Sequence, residues 1–483
     1  MTVTKDSRWL ALFVLCAGML MIILDQTIVN VALPAIQADL GFSQSGLAWV
    51  INAYLIAFGG LLLLAGRLGD LVGRKRVFLT GLALFTAASL LCGASQSAEM
   101  LIAARFLQGV GGAMATAVTL GMIVTMFPKP AEQARAIGVF SFVAAAGASI
   151  GLLAGGVLTQ ALNWHWIFLV NLPIGVAAFV LTIRLIDNER GIGLGKGADV
   201  LGAILITAAL MLGVYTIVES PAGSGWLGAL SIALFLGFVV RQARARKPLL
   251  PLRIFRSRNV LGANAVQMLM VAGMFGMFFL GTLYMEKVLG YDALQIGLGF
   301  LPVAIAIGTL SVGFSARLSA RFGERTVLLA GLTLILAGLL LFTQTPIDGR
   351  YLTDLLPALV ALGVGGGLSF PTMMTLAMSD ATRDDAGLAS GLVNTTAQVG
   401  GAVGLAVLAS LSTARTTDLL AEGVAAPAAL TDGFHLAFGV GAALVTVAII
   451  LAATVVRPIT APAPDIDAEW EQDDANQSLA RIG

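Results

Sequence analysis

Fourteen long apolar stretches separated by short polar turns fill this chain, and they constrain its fold more than any motif. They run near 9–34, 47–65, 77–95, 100–124, 134–160, 166–186, 200–218, 226–241, 260–283, 293–316, 327–343, 353–378, 386–411 and 434–456. About 20 apolar residues are enough to cross a bilayer as a helix. Only 11% of the residues are charged, against about 25% in a soluble domain. The fold class expected is therefore an all-α integral membrane protein. The first stretch carries a lone acid, Asp25. Such a group costs about 2.5–3.5 kcal/mol inside a spanning helix on insertion scales, so a chain that keeps it there uses it.

An even number of spans puts both termini on one side, and the basic residues choose the side. With a cytoplasmic N-terminus, 24 of the 28 Lys and Arg fall in inner segments and only Lys287, Arg350 and Arg415 in outer ones, with Arg105 inside a span. Adding or removing a span would scramble that bias. The apolar run after Lys5 and Arg8 is too long for a signal peptide and lacks a small-residue cleavage site, so it reads as a retained first span. Cys16 and Cys92 lie in spans and form no disulfide or metal spacing.

The chain repeats itself. Gly66-Arg67-Leu68 through Gly73-Arg74-Lys75, after span two, is echoed by Ala316-Arg317-Leu318 through Gly323-Glu324-Arg325, after span ten. Gly109-Val110-Gly111-Gly112 in span four is echoed by Gly363-Val364-Gly365-Gly366 in span twelve. Spans one to six thus pair with nine to fourteen, and seven and eight are inserted between them. Parallel halves of this kind belong to transporters that rock around a midplane site. The divisions expected are a six-helix bundle over 9–186, two inserted helices and a basic cytoplasmic loop over 187–258, a second bundle over 259–456, and a disordered cytoplasmic tail over 457–483.

Several motifs resemble the major facilitator superfamily, and within it the fourteen-span drug:proton antiporters. Gly66, Leu68, Asp70, Gly73, Arg74 and Lys75 resemble its loop motif. Leu24 through Pro34 resemble its first-span motif, and Arg105-Phe106-Leu107-Gln108-Gly109 its span-four motif. Trp164 through Phe168, with Asn171, Pro173 and Gly175, resemble the same subgroup. Gly147, Gly151, Gly155 and Gly156 match its span-five glycines, but Leu152 stands where its helix-bending proline is expected. Ala320 replaces the loop aspartate in the second half. The resemblance implies a major facilitator fold, a cytoplasmic gate built on the first loop, and coupling of proton to substrate through Asp25 and Arg105.

The residues set the expectations for each site. Asp25 reads as a titratable acid facing a central cavity, or as a structural acid paired with a neighbour. At one carboxylate, a proton and a cationic ligand exclude each other, which is the physics of antiport. The glycines of span five, four apart, predict a close approach between halves. Gln26, Asn30, Tyr54, Gln108, Gln267, Asn394 and Glu286 are candidates for lining the cavity. The loop 241–258, with seven basic residues and no acid, suits anionic lipid. The function expected is proton-coupled export of lipophilic, cationic or neutral drugs or toxic compounds across a bacterial cytoplasmic membrane; the alternative is a dedicated exporter of one endogenous metabolite, antibiotic or lipid. No nucleotide-binding loop is present, and with only His165 and His435 a membrane enzyme has little to work with. No cofactor, metal or nucleic acid is called for. The partners expected are a small lipophilic substrate, protons and membrane lipids, with a periplasmic adaptor only if the host is Gram-negative.

Overall fold

The computed structural model describes residues 5–188, 191–193, 197–219, 225–379 and 386–457. The acidic tail and Arg190, Lys196, Arg383 and Arg481 lie outside the described residues. In hydrocarbon a backbone must bond to itself, so long apolar runs close into helices. The long helices are α1 Lys5–Leu40, α2 Trp49–Val72, α3 Arg74–Gly93, α4 Ala98–Met126, α5 Pro130–Ala161, α6 Asn171–Leu185 and α7 Val200–Glu219. They continue as α8 Gly225–Arg244, α9 Arg258–Lys287, α10 Ala293–Gly313, α11 Glu324–Phe342, α12 Leu356–Met378, α13 Ala386–Ala421 and α14 Ala426–Thr454. Among the described residues, 13 helices are long and apolar enough to cross a membrane; α5, whose described apolar part is Ile150–Ala161, completes the series.

The packing repeats as the sequence does. In the first half α3 packs on α4, α2 on α4, α1 on α5 and α6, and α3 on α6. In the second, α11 packs on α12, α10 on α12, α9 on α13 and α14, and α11 on α14. Individual residues repeat these contacts. Gly109 lies against the backbone of Tyr54, and Gly363 against that of Val303. Gly111 meets Gly81 and Phe85, and Gly365 meets Gly331 and Ile335. The loop glycines match too: Gly73 has φ 102° and Gly323 φ 81°, a backbone region that favours glycine.

The most extensive packing between the halves is α2 on α13 and α5 on α10, and α1 makes smaller contacts with α9 and α10. The inserted pair lies at the edge of the α2–α13 seam: α7 packs on both helices and α8 packs on α7. Helix α8 presents Trp226, Ile232 and Leu236 outward, as suits a lipid-facing surface. One span departs from a simple rod. The sixth is broken at Val170 between the short helix Trp166–Leu169 and α6. Pro173 then sits in the first turn of α6, where its missing N–H is not needed, and Asn171 becomes a helix-start residue.

Candidate functional site

Four helices of the first half close on Asp25, which is fully buried. Its Oδ2 accepts from Arg105 Nη1 at 2.6 Å. Its Oδ1 accepts from Gln108 Nε2 at 2.7 Å and from Asn171 Nδ2 at 3.0 Å. Arg105 and Gln108 are three apart on α4 and so share one face; Arg105 Nη1 also donates to Gln108 Oε1 at 2.6 Å. Arg105 Nε donates to the carbonyl of Val50 at 2.9 Å, and Gln108 Nε2 to Ser89 Oγ on α3 at 2.7 Å. The guanidinium lies over the ring of Tyr54, 4.5 Å from its centroid. A buried ion pair of this kind is held by its hydrogen bonds; removing one partner typically costs about 3–5 kcal/mol.

This arrangement corrects part of the expectation. Asp25 faces the interior of the first half, not a cavity between the halves. Tyr54 and Gln108, candidates for cavity lining, are equally buried and belong to the Arg105 enclosure. The physical reason is the rotation of α1 and α4, which turns their polar faces toward each other. Asn171 and Ser89 join the site without having been singled out as site residues. A lone asparagine in an apolar span was a usable signal for the first, whereas a lone serine carries none.

The second half supplies an internal comparison. The glycine contacts align Ser89 with Leu339, Arg105 with Leu359 and Gln108 with Leu362. They also align Asp25 with Leu269, because Gly151 and Gly155 meet Leu24 and Ile28 as Gly400 and Gly404 meet Met268 and Ala272. Four leucines thus stand where the first half has its polar cluster. The corresponding helices of the second half pack in the same way with leucines at these positions.

The loop motif ties helix ends together. Arg74 lies 3.7 Å from Asp70, both partly exposed, and donates to the carbonyl of Gly121 on α4 at 3.3 Å. Lys75 Nζ donates to the carbonyl of Ile183 near the end of α6 at 3.0 Å, where a cation complements the helix dipole. Gly66 faces Ala117 of α4. The backbone carbonyls of Asp70 and Leu71 accept from Ile192 and Gly193, so the chain after α6 folds back onto the motif.

The glycines of α5 divide between two partners. Gly147, Gly151 and Gly155 recur every four residues and share one face, and that face lies on α1. A Cβ at Gly155 would sit 2.7 Å from the carbonyl oxygen of Ile28. Gly156, one residue around the helix, faces the other half: a Cβ there would sit 2.8 Å from the carbonyl oxygen of Ala293 on α10. The expected inter-half approach is thus made by Gly156, together with Gly297 against the backbone of Leu152. The other three glycines pack within the first half.

The remaining candidates vary. Gln26 donates to Tyr54 Oη at 3.3 Å, and Asn30 is buried and donates back to Gln26 O at 3.2 Å. Gln267 is buried with its Oε1 unpaired, and Glu286, in the last turn of α9, has an unpaired buried Oε2. Asn394 on α13 is exposed. Among the described residues no cluster of His, Cys, Asp or Glu could hold a metal ion.

Two corresponding six-helix halves, with a buried ion pair in only the first among the described residues, fit the class of multi-pass membrane transporters. A family model described as Major Facilitator Superfamily matches residues 15–405, and the chain belongs to that family. It is 39% identical over 454 residues to the puromycin resistance protein pur8 of Streptomyces alboniger, covering 91% of this chain and 90% of that protein. It is 37% identical to the cephamycin export protein CmcT of Amycolatopsis lactamdurans, covering 85% of this chain and 86% of that one. The fold matches the inward-facing, unoccupied structure of a bacterial homologue of the human lysosomal transporter Spinster, with a TM-score of 0.67 at 14% identity, covering 95% of this chain and 100% of that one.

Proposed function

We propose that this protein exports lipophilic, antibiotic-like compounds across the bacterial cytoplasmic membrane in exchange for protons, by alternating access of its two halves. The observation that carries the reading is the Asp25 cluster, kept in the first half where the second packs four leucines in its place. A dehydrated charge pair inside spanning helices, absent from the equivalent place in the other half, is a functional element by default. A proton on Asp25 would cancel the charge-assisted bond to Arg105, leaving the guanidinium to Gln108, Val50 and the Tyr54 ring. Helices α1, α4 and α6 would then change their mutual fit, and the change would reach the α2–α13 and α5–α10 seams through α2 and α5. The first-loop motif would act as the cytoplasmic gate, and both termini would lie in the cytoplasm, as the distribution of basic residues supports.

The substrate class draws on the relatives, which are named for puromycin resistance and cephamycin export. The cationic expectation rested on an Asp25 open to the cavity. With Arg105 already balancing that charge, neutral lipophilic compounds fit equally well. Because each of those names refers to one antibiotic, a dedicated exporter of a single endogenous compound is the second reading. Either exporter gains about 2.3 kcal/mol for each elementary charge moved down 100 mV, enough for about fiftyfold accumulation.

The test is uptake into inverted proteoliposomes under an imposed pH gradient, with ethidium and puromycin as probes. Uptake of both, collapsed by a protonophore, supports the broad exporter, and puromycin alone supports the dedicated one. Uptake indifferent to the gradient refutes proton coupling.

A further inference from the structure

The chain between α8 and α9 forms a strap from the inserted pair to the second half. It is anchored twice. Asp199, just before α7, accepts from Arg241 Nε at 2.5 Å and from Gln242 Nε2 at 2.9 Å; Gln242 Oε1 in turn accepts from Leu250 N at 3.1 Å. Leu250 then joins an apolar cluster with Val260 of α9 and Leu392 of α13, against which Leu388 of α13 and Leu63 of α2 pack, so the strap places a wedge among elements of both halves. Along it Arg244, Arg246, Arg256 and Arg258 are exposed. The stretch 241–258 holds no acid, and the acid beside it, Asp199, is already held by Arg241.

The C-terminal end of the described chain arrives at the same place. After α14, the backbone N–H of Arg457 donates to Asn259 Oδ1 at 2.8 Å, one residue past the strap, and Val455 and Val456 lie against Gly262. The chain that follows carries Asp465, Asp467, Glu469, Glu471, Asp473 and Asp474, with Arg481 its one base. Asp465 is eight residues beyond Arg457, a reach of up to about 27 Å. A segment tethered this close is present at an effective concentration in the millimolar range.

We propose that the acidic segment 465–474 docks on the basic strap of its own chain. The chemistry is a run of carboxylates against exposed guanidiniums, which bind them as charge-assisted, bidentate pairs. The position gives the contact a consequence: whatever holds the strap also holds the Leu250 wedge at the seam between the halves. Anionic lipid headgroups are the rival occupant of the same guanidiniums.

Spin labels at Ala243→Cys and Ala475→Cys, in zwitterionic-lipid nanodiscs, read the distance directly, since native Cys16 and Cys92 are buried. The expected result is a short-distance population at low salt. It is lost when the six acids are changed to Asn or Gln, and lost when the four arginines are changed to Gln. It also fades at 1 M salt, where the screening length falls to about 3 Å. One distance distribution common to all four samples overturns the proposal. So does a distribution indifferent to tail charge in a protein whose arginine variant alone stops retaining phosphatidylglycerol, which assigns the strap to lipid.

Discussion

Arg105 is bound by Asp25, Gln108, the Val50 carbonyl and the Tyr54 ring at once, and that density of contacts makes the cluster sensitive to partial removal. Asp25→Leu alone strands a buried guanidinium and should cost about 3–5 kcal/mol. The fourfold change of Asp25, Ser89, Arg105 and Gln108 to Leu copies the second half and should recover most of that loss, read as thermal unfolding in detergent. A fourfold variant no more stable than Asp25→Leu would show that the first half depends on its ion pair for folding. Asp25, Arg105 and Gln108 were legible in the sequence because polar groups in apolar spans announce themselves. Their meeting was not, because spacing gives depth along a helix but not its rotation against neighbours. Ser89 was invisible for the same reason.

At the scale of elements, the apolar runs located the helices, since each has to satisfy its own backbone. Their ends were harder to place. Helix α13 continues ten residues past the expected 411, to Ala421, and α14 starts eight before the expected 434, at Ala426. These ends rise beyond the apolar stretch, where hydropathy no longer marks them. The glycines of α5 teach a related point: spacing by four predicts a shared face but not which helix lies on it. Gly151→Val presses on α1 at Leu24 and should destabilise the first half by about 1–3 kcal/mol through overpacking. Gly156→Val presses on α10 at the seam and should lower transport more than it lowers the unfolding midpoint. Equal effects of the two on both readouts would contradict the division. The attachment of the inserted pair is also testable by pH. Burial of Asp199 opposes its ionisation, but hydrogen bonds from Arg241, the Gly202 N–H and Gln242, with the charge of Arg241, hold its carboxyl below the usual range. A depressed folded-state value gives stability that is complete above the unfolded value of about 3.9 and is lost as pH falls through the folded one. Asp199→Asn should therefore unfold at lower temperature than wild type at pH 7, with the gap closing below about pH 4; a gap constant down to pH 3 would exclude the ion pair as its cause.

For the whole molecule, the repeat was the most informative reading, because it fixed which helix corresponds to which before any contact was seen. It also exposed the asymmetry that matters, a charged cluster in one half and leucines in the other. On the proposed reading, the two packed halves would let access alternate, and the buried Asp25 carboxylate would let a proton gradient drive it. The most direct test compares wild type with Asp25→Asn in proteoliposomes, with two assays on the same preparation: uptake driven by a pH gradient, and substrate exchange without one. The account predicts that Asp25→Asn loses gradient-driven uptake at least tenfold while exchange persists. Gradient-driven uptake surviving in Asp25→Asn would contradict it and move the proton site away from the first half's cluster.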